Sequence, residues 1–271
     1  MVVSVQTLEA DLRRPLFGVL VAIAITTAMD AGGLSAFSAL PLLPLMGLFW
    51  YLERLSRPSV GFVWGRWSHY GLATLYPLAV LGVAALIARL AGAVDPAGTD
   101  WKKACLNLAL VAVSTILVAI VTEEGFFRGW LMASLERAGQ TQTGILVWSS
   151  IAFSLWHLSA VSLNTGFDLP AAQIPVFMVN AAVIGAIWGL LRLISGSVIV
   201  SSVSHGIWNG GAYVLFGFGT KAGALGIDAT ALYGPEVGVL GLVLNVVFAA
   251  ALWQWWKARG LARPPPGAPG D

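Results

Sequence analysis

The chain has 271 residues, of which 58% are hydrophobic and only 10% charged, against about 25% charged residues in an ordinary soluble domain. No water-soluble fold could cover that much apolar surface, so the bilayer is its solvent. The formal net charge of +2 is scattered over isolated Lys and Arg residues without a basic stripe, which excludes nucleic acid as a partner.

The apolar segments predict an all-α polytopic membrane protein of about eight transmembrane helices. The first span, Pro15 to Gly32, is read as retained, because no small-residue cleavage site follows Arg13 and Arg14. The second, Leu34 to Leu52, contains Pro41 and Pro44, which predict a kinked or re-entrant segment. The third covers His69 to Leu90, and Pro96 and Gly98 place a loop at Asp95–Asp100. The fourth begins near Lys103 and runs past its apolar part to about Arg137, where Gly139 stops it. The remaining spans are Gln142 to Leu163, Pro170 to Leu191, Ile194 to Phe218 and Val237 to Trp256. Residues 1–263 read as one integral-membrane domain, and the Pro- and Gly-rich end, 264–271, reads as a disordered tail. Cys105, the single cysteine, excludes an internal disulfide and reads as a small core residue.

Cytoplasmic loops collect Lys and Arg. With both termini in the cytoplasm, the inner segments hold Arg13, Arg14, Arg54, Arg57, Arg66, Arg128, Arg137, Arg192, Lys257, Arg259 and Arg263, and the outer ones only Arg89, Lys102, Lys103 and Lys221. Eleven against four favours an even number of spans.

Ionisable side chains inside a membrane cost about 2.5–3.5 kcal/mol each on insertion scales, so they mark function by default. Glu123 and Glu124 directly follow the apolar run Ala104–Thr122, and His157 and His205 lie in otherwise uncharged spans. Glu124 and Arg128 are four apart with the acid first, the favourable order for an ion pair. Phe153 and His157, and likewise His205 and Asn209, share a helical face. Glu123 and His157 are almost equally far from the turn near Gly139, so an antiparallel hairpin sets them opposite each other.

That combination suits hydrolysis. Burial raises the proton affinity of a carboxylate, which can then take a proton from water and return it to a leaving amine. An imidazole can share the water, while a second imidazole and a carboxamide donate to the developing oxyanion. Taken singly, each residue also has a structural reading. The acids could end a span, the histidines could be hydrogen-bonded core residues, Asn209 could be helix-packing glue, and Arg128 an interfacial anchor. The three spaced sets together argue against that.

EEGFFR at Glu123–Arg128, FSLWH at Phe153–His157 and HGIWN at His205–Asn209 form EExxxR, FxxxH and HxxxN. In this order, each in its own helix, they resemble the CPBP intramembrane proteases, the family of type II CAAX prenyl endopeptidases and bacteriocin-processing or self-immunity proteins. The resemblance covers about Ala104 to Phe218 and implies a protease-like core built on the fourth, fifth and seventh helices. It implies that Glu123 and His157 activate water and that His205 and Asn209 stabilise the oxyanion. Glu124 and Arg128 would support them, and Phe153 would shape the pocket.

The resulting expectation is a multi-pass endopeptidase acting on a membrane-associated peptide or protein without a metal. The alternative keeps the same protease with zinc on Glu123, His157 and His205, since two His and a Glu are a legitimate catalytic set although HExxH is absent. A non-catalytic immunity or scaffold protein would use the same pocket for binding. A proton-coupled transporter would need an inverted repeat, and none is evident.

Overall fold

The computed structural model describes residues 5–163, 165–167 and 169–260. Its helices are α1 (Val5–Ala31), α2 (Leu42–Glu53), α3 (Arg57–Val60), α4 (Trp67–Leu90), α5 (Trp101–Val121), α6 (Met132–Arg137), α7 (Gln142–Trp156), α8 (Leu158–Ser162), α9 (Ile174–Ser195), α10 (Val198–Gly211), α11 (Thr230–Tyr233) and α12 (Val239–Ala258). Two π-helical segments stand among them, Glu124–Leu131 between α5 and α6, and Ala212–Phe216 after α10. The only strands among the described residues, β1 (Gly217–Phe218) and β2 (Lys221–Ala222), pair as a small antiparallel hairpin. The expected tail and Arg263 lie outside the described residues.

Among the described residues, seven helical rods are long and apolar enough to cross a membrane: Leu12–Ala31, Ser35–Glu53, Trp67–Leu90, Trp101–Arg137, Gln142–Ser162, Ala171–Ser195 and Val239–Ala258. The chain is an all-α polytopic membrane protein. The span expected at Ile194 to Phe218 is a different kind of rod, the 14 residues of α10 extended by five residues of π-helix. At about 1.5 Å per residue it reaches about 28 Å. It need not be uniformly apolar, because its Ser201, Ser202, Ser204 and His205 are buried in protein.

Close backbone packing places this polar rod. α10 lies against α5 and α4. A Cβ at Gly206 would collide with the Ala112 carbonyl oxygen, and one at Gly210 would come within 2.8 Å of that of Leu108. Only glycine allows such an approach of two helices. On its other side α10 meets α9, which is itself packed between α7 and α12.

The second span is interrupted at its prolines: a 3-10 turn at Ser35–Phe37 and further turns precede α2, with Pro41 as the N-cap of α2 and Pro44 in its first turn. The amide hydrogens that proline lacks have no intrahelical partner at those positions. Cys105 is exposed rather than buried, because α5 turns most of its surface outward and buries only Ala104, Ala112 and Ala119. Gly139 does end the fourth rod, with φ of 78° one residue after the C-cap Ala138, and the chain reverses into α7.

Candidate active site

Two of the three motifs sit where a helix departs from regular α geometry, while His205 and Asn209 lie in the regular helix α10. α5 ends at Thr122, whose φ and ψ of −111° and −100° are not helical. Glu123 resumes helical angles, and the π-helical turns Glu124–Leu131 follow, every residue of them buried. The Thr122 hydroxyl bonds back to the Val118 carbonyl at 2.8 Å, and the Phe126 amide donates to the Thr122 carbonyl at 2.7 Å. Gly125 is required in this packing, since a Cβ there would come within 2.6 Å of the Ile120 carbonyl oxygen. π-turns widen a helix locally and often re-aim side chains at functional sites. His157 lies at the junction of α7 and α8, and Asn209 one turn before the second π-segment.

The packing of α10 against α5 and the π-helical turns brings the motif residues together. Glu123 Oε2 lies 3.8 Å from His157 Nε2 and 3.9 Å from His205 Nε2. Both separations exceed a direct hydrogen bond and suit the sharing of one water. The Glu123 and His157 side chains keep 19% and 22% exposure, the His205 side chain 4%. His157 Nδ1 lies 2.9 Å from the Phe153 carbonyl. That oxygen can only accept, so Nδ1 carries the proton and Nε2 of the neutral ring is free to receive one.

Glu124 and Arg128 form the support beneath. Both are fully buried, with Glu124 Oε1 3.3 Å from the guanidinium and 3.1 Å from His205 Nδ1. The guanidinium also donates to the Gly185 carbonyl at 3.2 Å and lies 4.0 Å from the Phe153 ring centroid. An Arg stacked on one ring and paired with one carboxylate is well suited to a buried site. Phe153 thus carries the guanidinium on its face and meets His157 edge-on at 4.5 Å. Trp188 lies flat on His205, with centroids 3.9 Å apart and planes 19° apart.

Asn209, half-buried, lines two neighbouring cavities that share part of their walls. One, of about 230 Å³, also touches Glu123, His157 and His205 and extends to Thr26, Ser35 and Ser38 of the first two rods. The other, of about 30 Å³, lies between His157, His205, Asn209, Tyr213 and Glu236. A volume of that size holds a water or two. The sequence reading named neither the wall from the first two rods nor Trp188, Tyr213 and Glu236. Glu236 had a signal, being the one charged residue between Asp228 and Lys257. The others had none, since aromatic residues are common along the chain.

Among the described residues, no group of three or more His, Cys, Asp or Glu side chains has the arrangement of a metal site. The spacings of 3.8 and 3.9 Å from Glu123 to the two imidazoles are wider than the roughly 3.3 Å between two ligands of a tetrahedral zinc. Loading with zinc would require these side chains to draw in.

Residues 105–211 match the family described as type II CAAX prenyl endopeptidase Rce1-like. The matched segment contains all three motifs, and the resemblance drawn from them is borne out over it. No curated protein matches the chain. The family match supports an intramembrane endopeptidase of the CAAX type in general, a hydrolase working in a lipid environment.

Proposed function

We propose that the protein is an intramembrane endopeptidase in which Glu123 and His157 activate a water and His205 and Asn209 hold the oxyanion of the attacked carbonyl. The observation that carries this reading is the convergence of Glu123, His157 and His205 within 3.9 Å on a cavity that Asn209 also lines. Water held between Glu123 Oε2 and His157 Nε2 loses a proton as it attacks the peptide carbon, and the proton passes to the leaving amine. The developing charge is met by the Asn209 carboxamide and by His205 Nε2, which donates when the ring holds both protons. Glu124 and Arg128 position His205, and Phe153 positions Arg128 and His157.

The membrane-associated substrate reaches this chemistry through the larger cavity, and a prenylated C-terminal peptide, the class in the matched family's description, is the first to try. With both termini cytoplasmic, as the Lys and Arg distribution favours, the loop carrying Arg54, Arg57 and Arg66 is also cytoplasmic.

The test compares protein termini in membranes of cells carrying native protein or Glu123→Gln. New termini that vanish in the variant, with expression and melting unchanged, uphold the reading and identify substrates. Identical termini remove Glu123 from the chemistry, and protection or partner binding preserved in the variant would indicate a non-catalytic binder. Cleavage by purified protein should persist in strong chelator. Loss with chelator and recovery with zinc would transfer the water to a metal on Glu123, His157 and His205.

A further inference from the structure

The loop between α11 and α12 belongs to no motif, yet it is held in place with care and presents a carboxyl to the site. Asn180 Nδ2 donates to the carbonyls of Pro235 and Glu236 at 2.8 and 3.0 Å. Asn245 Nδ2 donates to Asn180 Oδ1 at 2.9 Å, and the Tyr76 hydroxyl donates to Asn245 Oδ1 at 2.8 Å. Tyr76, Asn180 and Asn245 are fully buried, so three rods fix the backbone at Glu236. Its side chain is fixed as well, because Trp208 Nε1 donates to Oε1 at 2.7 Å.

The other oxygen, Oε2, is buried without a hydrogen bond of good geometry in a residue only 7% exposed, the Tyr213 hydroxyl being the protein group that faces the carboxyl. An acceptor left that way costs free energy, and here it belongs to a residue lining the same small cavity as His157, His205 and Asn209. We propose that Glu236 binds substrate, its Oε2 accepting a hydrogen bond from an N–H of the polypeptide whose carbonyl rests on His205 and Asn209. This rests on the endopeptidase reading.

Burial pushes the Glu236 carboxyl up to about 7, opposed by Trp208, His205 and Tyr213 and reinforced by Glu123. Tyr76 also feels its charge, and His157 shares its cavity. Above neutrality the group is an ionised acceptor. Below, it is protonated and a poorer partner for an N–H.

The experiment measures cleavage of a farnesylated CaaX peptide by proteoliposomes from about pH 5.5 to about pH 8.5. Native protein should show KM rising about tenfold as pH falls through neutrality. Glu236→Gln keeps an acceptor for Trp208 but puts an NH2 donor where Oε2 was, so its KM should stay high at every pH, with the loss concentrated in KM rather than kcat. Glu236→Asp should recover part of it. Glu236→Gln with native KM and native pH profile overturns the proposal while leaving the endopeptidase reading standing. A peptide cut by neither native protein nor variant is a failure of that reading, and a second measurement then decides without turnover. Dicyclohexylcarbodiimide, which attacks protonated carboxyls in apolar surroundings, should label Glu236 increasingly as pH falls, and saturating farnesylated peptide should reduce labelling about fivefold or more. Absent labelling, or labelling that the peptide does not shield, overturns the proposal.

Discussion

The two halves of the fourth rod differ in what surrounds them. α5 exposes Leu106, Leu110, Val113, Leu117 and Val118 and buries only three alanines. The π-helical turns that continue it, Glu124–Leu131, are buried at every residue and hold an acid, a base and three large aromatics. For the first half almost any apolar side chain will do, because lipid adapts to its shape. The second half contacts protein on all sides, so each side chain has one neighbour it must fit. The motif pair Glu124 and Arg128 lies in the half where position is fixed, with Glu123 at its edge.

That contrast can be broken by substitution, and the largest effect is expected at Arg128. Arg128→Met leaves Glu124 buried without its guanidinium, at a cost of about 3–5 kcal/mol. The yield of folded protein in detergent should collapse. A native melting midpoint would show that the pair is dispensable. Asn209→Ala comes next, with about 2.7–4 kcal/mol lost from transition-state stabilisation, or about 10²–10³ in kcat. Melting should not change, and a kcat within about twofold of native would take Asn209 out of the oxyanion site. Gly125→Ala forces a Cβ against the Ile120 carbonyl, at about 1–3 kcal/mol. Lower stability should accompany slower cleavage, and the contrast fails if neither moves. The smallest effect is reserved for Leu117→Ala on the outward face of α5, within about 0.5 kcal/mol and with unchanged turnover. A marked loss there would assign that face to a partner rather than lipid.

The same contrast explains what could be read without coordinates. The lipid-facing rods were legible because apolar length alone defines them. The pairing of Glu123 with His157 was legible because both lie almost equally far from the Gly139 turn. Helical spacing likewise put Glu124 with Arg128, though it could not reveal that their turns are π-helical or that Gly125 packs there against the Ile120 carbonyl. Nor could spacing place Glu236, whose position follows from Asn180, Asn245 and Trp208 on three other rods. Pro41 and Pro44 marked the place in the second span where turns give way to α2. Cys105 misled because an apolar environment was equated with a protein interior, and lipid is the other such environment.

The flat contact between Trp188 and His205 has an optical consequence. A protonated imidazole quenches indole emission by electron transfer far more strongly than a neutral one does. Subtracting the fluorescence of Trp188→Phe from that of native protein isolates this one emitter among twelve tryptophans. The stacked pair thereby gives a built-in light signal for the charge on His205, readable in a cuvette before any substrate is known.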